Sequence, residues 1–166
     1  MDELLREIKN CTICKPNLPF EPRPVVQLDP LARILIAAQA PGKRVHDTGI
    51  PFNDASGIRL REWLGIEQSV FYDKKKVAIL PMGFCYPGRG KSGDLPPRKE
   101  CAKTWHKLVS GHLRNVQLTL FIGRFAQRYY FPQSKSSTLT QTIMRWRSFW
   151  PDVIPLPHPS PRNIIW

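Results

Sequence analysis

Acidic residues are scarce in this chain. Asp and Glu number 13 among 166 residues against 25 Lys and Arg, a formal charge of +12. Such an imbalance points to a polyanionic partner, although charge alone does not separate DNA from RNA. Long apolar runs are also missing, so no segment has the composition of a membrane span. The basic residues are spread rather than gathered on one amphipathic helix, which argues against a membrane surface as partner. The N-terminus, Met1 to Ile8, is charged and amphipathic and lacks the apolar stretch of a secretory signal, so a cytoplasmic location is expected. Internal repeats and low-complexity tracts are absent. An apolar fraction of 42% over this length is what one globular domain with a substantial core requires.

Cysteine is sparse too. Cys11, Cys14, Cys85 and Cys101 follow the order C-x2-C, a long gap, then C-x15-C. In a reducing compartment a close pair suggests metal before disulfide, but the second spacing is not that of a zinc ribbon.

Four short apolar runs have the character of strands covered on both faces: Arg33–Gln39, Val77–Met82, Val116–Ile122 and Asp152–Leu156. Helical patterns lie between and around them, at Ile58–Gly65, Pro97–His112, Arg124–Phe131 and Thr138–Trp150, besides a short helix over residues 2–10. In Thr138–Trp150 the stripe Leu139, Ile143, Trp146 and Trp150 reads as core. Strands alternating with helices predict an α/β fold, a single domain with a central four-stranded parallel sheet flanked by helices. Ligands of such sheets bind at the strands' carboxyl ends, which gathers the loops after Gln39, Met82, Ile122 and Leu156 on one rim.

Two rim segments are dense in chemistry. Gln39-Ala40-Pro41-Gly42 runs on to Gly49-Ile50-Pro51-Phe52-Asn53 and reads as a rigid loop holding His46 and Asp47. Pro157-His158-Pro159-Ser160-Pro161 fixes a histidine between prolines at a strand's end. Gly90-Lys91-Ser92 imitates the end of a phosphate-binding loop, but Cys85 stands where the required glycine would be, and Pro96 and Pro97 prevent a long helix directly after Ser92. Arg89, Lys91, Arg98 and Lys99 are expected to meet a polyanion's backbone instead.

The combination QAPG…TGIPF…SG with PHPSP resembles the two active-site motifs of uracil-DNA glycosylases, and the cysteine spacing resembles the iron–sulfur branch of that superfamily. The resemblance runs from Cys11 to Asn163. It implies a monofunctional DNA-repair glycosylase that hydrolyses the N-glycosidic bond of a flipped-out deaminated base, uracil first, and acts as a monomer on duplex or single-stranded DNA. It implies that backbone N–H groups around Gln39 and Ala40 bind the base, that Phe52 stacks on it, and that His158 stabilises its negative charge. Ser160, Arg162 and Asn163 would enter the minor groove, with Arg162 as the wedge. Cys11, Cys14, Cys85 and Cys101 would hold a four-iron, four-sulfur cluster, with zinc as the alternative metal.

The chain departs from the pattern in informative places. Ala40 stands where well-known members carry an aspartate, and Gln39 and about Val45 stand where iron–sulfur relatives carry acids. Asp47 is the nearest carboxylate and is expected to activate water. Pro81 or Met82 occupies the place of an asparagine that reads uracil's edge, so another base such as hypoxanthine is the alternative substrate. Without the usual acids, a non-catalytic lesion or single-strand binding protein is a competing reading, and a fold repurposed for an RNA base or small molecule is a third. Relatives continue into a terminal helix, so the domain expected over residues 1–166 lacks it.

Overall fold

The computed structural model describes residues 1–131, 137–161 and 163. Its centre is a sheet of four parallel strands in the order β2-β1-β5-β6. These are β1 (Ile34–Ala37), β2 (Val77–Ile79), β5 (Leu118–Ile122) and β6 (Val153–Leu156), one inside each predicted apolar run. A two-stranded antiparallel hairpin, β3 (Arg89–Gly90) and β4 (Gly93–Asp94), projects from the loop after β2.

Side chains alternate across the sheet, and two cores follow from that period of two. Leu35, Ala78 and Leu80 face one layer, where they meet Leu4 and Ile8 of α1 (Asp2–Lys9) and Trp105 and Val109. Ile36, Val77, Ile79, Leu120 and Ile122 face the other, packed on Leu60 of α3 (Ala55–Leu64) and on Phe71, the last residue of α4 (Gln68–Phe71). Leu60 and Phe71 are fully buried, and each such side chain stabilises the fold by about 1.5–3 kcal/mol. The predicted α/β architecture is the one observed.

Local differences have identifiable causes. The first rim motif contains a helix, α2 (Lys43–Thr48), where a rigid loop was expected; Gly49 ends it in the left-handed conformation at φ 72°. The helix expected at Ile58 starts earlier, at Ala55, because the Asp54 side chain accepts a bond from Gly57 N–H at 2.9 Å and caps it. The segment Pro97–His112 forms α5 (Lys99–Cys101), a π-helical turn over Ala102–His106, and α6 (Lys107–His112). Helix α7 (Gly123–Tyr130) follows β5 directly. The helix expected over Thr138–Trp150 ends early as α8 (Leu139–Met144), because Arg145 leaves helical geometry and Trp146–Ser148 form a tighter turn. The apolar stripe therefore fails as a unit: Ile143 is buried, but Trp150 is 56% exposed, and Phe149 instead stacks on Phe131.

Candidate active site

A cavity of about 850 Å³ opens at the carboxyl ends of the sheet. Each of the four rim loops contributes to its wall: Gln39 to Gly42 after β1, Pro81 after β2, Arg124 after β5 and His158 after β6. The hairpin adds Lys91, Ser92 and Asp94.

Phe52 is held by an unusual backbone. Its φ is 54°, the one positive value at a non-glycine residue among those described, a conformation that costs on the order of 1–3 kcal/mol and clusters at functional sites. The first turn of α3 lies hard against it. A Cβ on Gly57 would stand 1.7 Å from the Phe52 carbonyl oxygen, so only glycine fits there. Phe52 lines the cavity, and its ring meets Phe71 edge-on at 5.9 Å, so the residue is part wall and part core.

His158 is fixed from several sides. Its Nδ1 accepts the Ser160 N–H at 3.2 Å, and its carbonyl accepts from the Asn163 side chain at 3.1 Å. Arg59 donates to the carbonyls of Ser160 and Asn163 and clamps this loop to α3. Gly123, at φ 75°, lies beside the histidine: a Cβ there would be in ordinary contact with the His158 Cβ and Cδ2, at 3.6 and 3.7 Å. Burial lowers the His158 pKa, while the carboxylates of Asp54 and Asp94 act in the opposite direction. A neutral ring that accepts at Nδ1 carries its proton on Nε2. His158 is thus held as an Nε2–H donor.

Asp54 and Asp94 are the carboxylates lining the cavity among the described residues. Their Oδ2 atoms lie 3.9 and 3.5 Å from the place a Cβ on Gly42 would take, so both converge on one point of the wall. One Asp54 oxygen caps α3, and one Asp94 oxygen lies 3.5 Å from the Tyr86 hydroxyl. Sequence reasoning missed both acids and Arg59. Asp54 had a signal, because an aspartate before Ala-Ser-Gly is a helix-cap pattern; Asp94 had none before the hairpin was seen.

The structure brings Gln39, Ala40, Phe52, His158, Ser160 and Asn163 to this cavity. It does not bring Asp47 there. That residue is exposed on α2, where Lys43 Nζ lies 2.6 and 2.8 Å from its two oxygens and holds its carboxyl below the usual range. Arg23 further ties the carbonyls of His46 and Asp47 to the proline-rich connection. Arg162 lies outside the described residues.

The four cysteines are free thiols; Cys14, Cys85 and Cys101 are buried. They lie within electrostatic reach of one another, and burial pushes Cys85 up to about 11 and Cys101 to about 12. Donors already address the sulfurs: Phe84 N–H to Cys101 at 3.4 Å, the Arg23 backbone to Cys85 and the Arg98 side chain to Cys14. Cysteine sulfurs addressed by N–H donors have the chemistry of thiolate ligands to a metal centre. Among the described residues, however, no group of three or more His, Cys, Asp or Glu is drawn together closely enough to hold a metal ion. No described helix is long and apolar enough to cross a membrane.

The chain is a parallel α/β domain with a cavity at its strand ends, walled by a fixed histidine, a half-buried aromatic and two acids. The model of the uracil DNA glycosylase superfamily matches residues 25–166, and the chain belongs to that superfamily. Its members are DNA glycosylases, hydrolases of DNA repair.

Proposed function

We propose that this protein is a monofunctional glycosylase that removes a flipped-out deaminated base, with uracil as the first substrate. The observation that carries the reading is His158, locked as a neutral Nε2–H donor at a cavity wall it shares with Phe52. A base inside a duplex is inaccessible, so it must be extruded at a cost of a few kcal/mol. The chain's positive charge offsets part of that through phosphate contacts. Phe52 stacks on the extruded base, and the N–H groups of Gln39 and Ala40 donate to its edge. When the N-glycosidic bond breaks, its electron pair leaves with the base, and His158 donates to the resulting anion. The sugar becomes positively charged, next to the Asp54 and Asp94 carboxylates. Water then bonds to the sugar carbon and gives up a proton, for which Asp54, fixed by its capping bond, is the better-placed acceptor.

A specific observation favours a second substrate. Pro81 has no N–H and its carbonyl is engaged by His106, so this wall lacks an amide to read uracil's edge. Hypoxanthine, with a different edge, is the alternative. Oligonucleotides carrying uracil, hypoxanthine, xanthine or mismatched thymine, followed by alkaline cleavage, test both. Abasic sites from uracil are the expected result; tight lesion binding without product from any base would leave a binding module.

The four cysteines are proposed as ligands of a four-iron, four-sulfur cluster. Such a group would tie the N-terminal segment at Cys11 and Cys14 to Cys85 and Cys101, closing a long loop. Anaerobically purified protein should be brown and contain iron and sulfide, and Cys→Ala changes should reduce both. Stoichiometric zinc would reassign the metal, and absence of any metal after reconstitution would remove it.

A further inference from the structure

His106 takes no part in the chemistry above, yet it is one of the least exposed polar residues described, at 1%. It ends the π-helical turn Ala102–His106, an element that recurs at functional sites. Its ring stacks on Phe84 at 5.8 Å, and Tyr130, its partner in α7, stacks on Phe121 at 4.5 Å. The Nε2 lies 3.0 Å from the Pro81 carbonyl, and Nδ1 lies 2.7 Å from the Tyr130 hydroxyl. A carbonyl only accepts, so Nε2 carries the proton and Nδ1 accepts from Tyr130.

We infer that His106 is a positioning residue for base recognition, setting from the core the direction of the N–H groups that meet the base. This rests on the role proposed above for Gln39 and Ala40. The link is made of planar trans peptides, in which the C=O and N–H of one unit point in opposite directions. The carbonyl of the Pro81–Met82 unit is held by His106, which aims the Met82 N–H at the Ala38 carbonyl, 2.8 Å away. Holding the Ala38 carbonyl aims the N–H of the same unit, that of Gln39, away from β2. One residue on, the Gly83 N–H holds the Gln39 carbonyl at 3.0 Å and so aims the Ala40 N–H likewise. Neither the Gln39 nor the Ala40 N–H has a hydrogen-bond partner among the described residues, while both residues line the cavity. Two donors are thereby left for a ligand, that of Gln39 aimed by a chain of bonds that begins at Tyr130 and that of Ala40 by the neighbouring Gly83 bond.

Three variants separate this role from mere support of the core. His106→Gln retains a donor near the Nε2 position, His106→Asn does not reach it, and Tyr130→Phe keeps the stacked ring but loses the hydroxyl. Three quantities are read: single-turnover excision of the best base, affinity for duplex carrying an abasic site, and amide NMR shifts of Gln39 and Ala40. His106→Asn should slow excision on the order of 10²-fold, the scale of a small misplacement of reacting groups. His106→Gln should restore most of that rate, and Tyr130→Phe should fall between. Abasic-site affinity should be unchanged in all three, because that ligand has no base to meet the N–H pair. The Gln39 amide should shift in His106→Asn and Tyr130→Phe but little in His106→Gln. Unmoved amides, or excision and abasic-site binding declining together, would overturn the inference. If the wild-type protein excises no base in the panel, the proposed function falls, and the amide shifts in Tyr130→Phe then decide for or against the relay.

Discussion

Two aspartates only seven positions apart have opposite placements. Asp47 lies on the outer face of α2, bonded to Lys43, whereas Asp54 begins α3 with one carboxylate oxygen on Gly57 and the other toward the cavity. Both belong to the same motif, and in sequence both are acids near an aromatic. The difference comes from the backbone between them. Gly49 stops α2 in a left-handed turn, Phe52 adopts a second positive φ, and the chain reverses so that Asp54 meets the helix N-terminus. Proximity in sequence to a motif does not give orientation; caps and turns do.

The sharpest test of that contrast starts from a reference on the other wall. His158→Ala should slow single-turnover excision by ~10²–10⁴-fold, the usual loss for a positioned donor or base, with lesion affinity nearly intact. Because burial lowers the His158 pKa, the neutral donor persists below the ordinary value near 6.5. The excision rate should therefore stay flat as pH falls from 8 through 6.5. By linkage, a depressed folded-state pKa means that His158 contributes stability above the unfolded value, lost as pH falls through the folded one. A rate that follows a titration at or above 6.5 would contradict the assigned protonation state.

Asp54→Asn comes next, with an expected loss on the order of 10²-fold in rate. Asparagine still accepts the Gly57 N–H, so the cap and the helix survive and the melting temperature should move little. This separates the acid's chemistry from its structural bond. If Asp54→Asn is active and Asp94→Asn is not, the hairpin acid is the water-activating group.

Phe52→Ala should weaken capture of the flipped base by ~1–3 kcal/mol, the range for stacking on an aromatic. The edge-on contact with Phe71 means some thermal stability is also lost. A large drop in melting temperature with unchanged capture would place Phe52 in the core alone.

How much of this was legible beforehand follows the same division. The four strands were legible because a strand covered on both faces must be apolar throughout, and each observed strand lies inside a predicted run. The rim followed from topology. The histidine between prolines and the aromatic after Pro51 were legible because rigid loops at strand ends are where chemistry gathers. What stayed hidden depends on contacts distant in sequence. His106 read as one position in a helix; its partners, Pro81 and Tyr130, come from β2's end and from α7. Asp94 needed the hairpin to fold back over the cavity. Trp150 looked buried only while the helix before it was taken to be continuous.

The smallest expected effect is at Asp47, and it is the one that would break the comparison. The residue is exposed and lies outside the cavity wall, so it can reach a substrate sugar only if α2 rotates as a whole. Such a rotation is opposed at three points: Val45 is buried beneath the helix, Arg23 holds the carbonyls of His46 and Asp47, and the same guanidinium fills the space where a Cβ on Gly49 would stand, 2.8 Å away. Its bond to Lys43 lowers the pKa, so the carboxylate is ionised above the ordinary carboxylate range, and whatever stability the pair contributes is lost only as pH falls below it. At neutral pH, Asp47→Asn removes one charge from an exposed pair that salt already screens. Excision should remain within about twofold of wild type, the scale on which surface pairs act, and added salt should erase even that difference. A loss comparable to that of Asp54→Asn, persisting at high salt, would mean that α2 turns inward when DNA binds and that the first motif carries its acid on a moving helix.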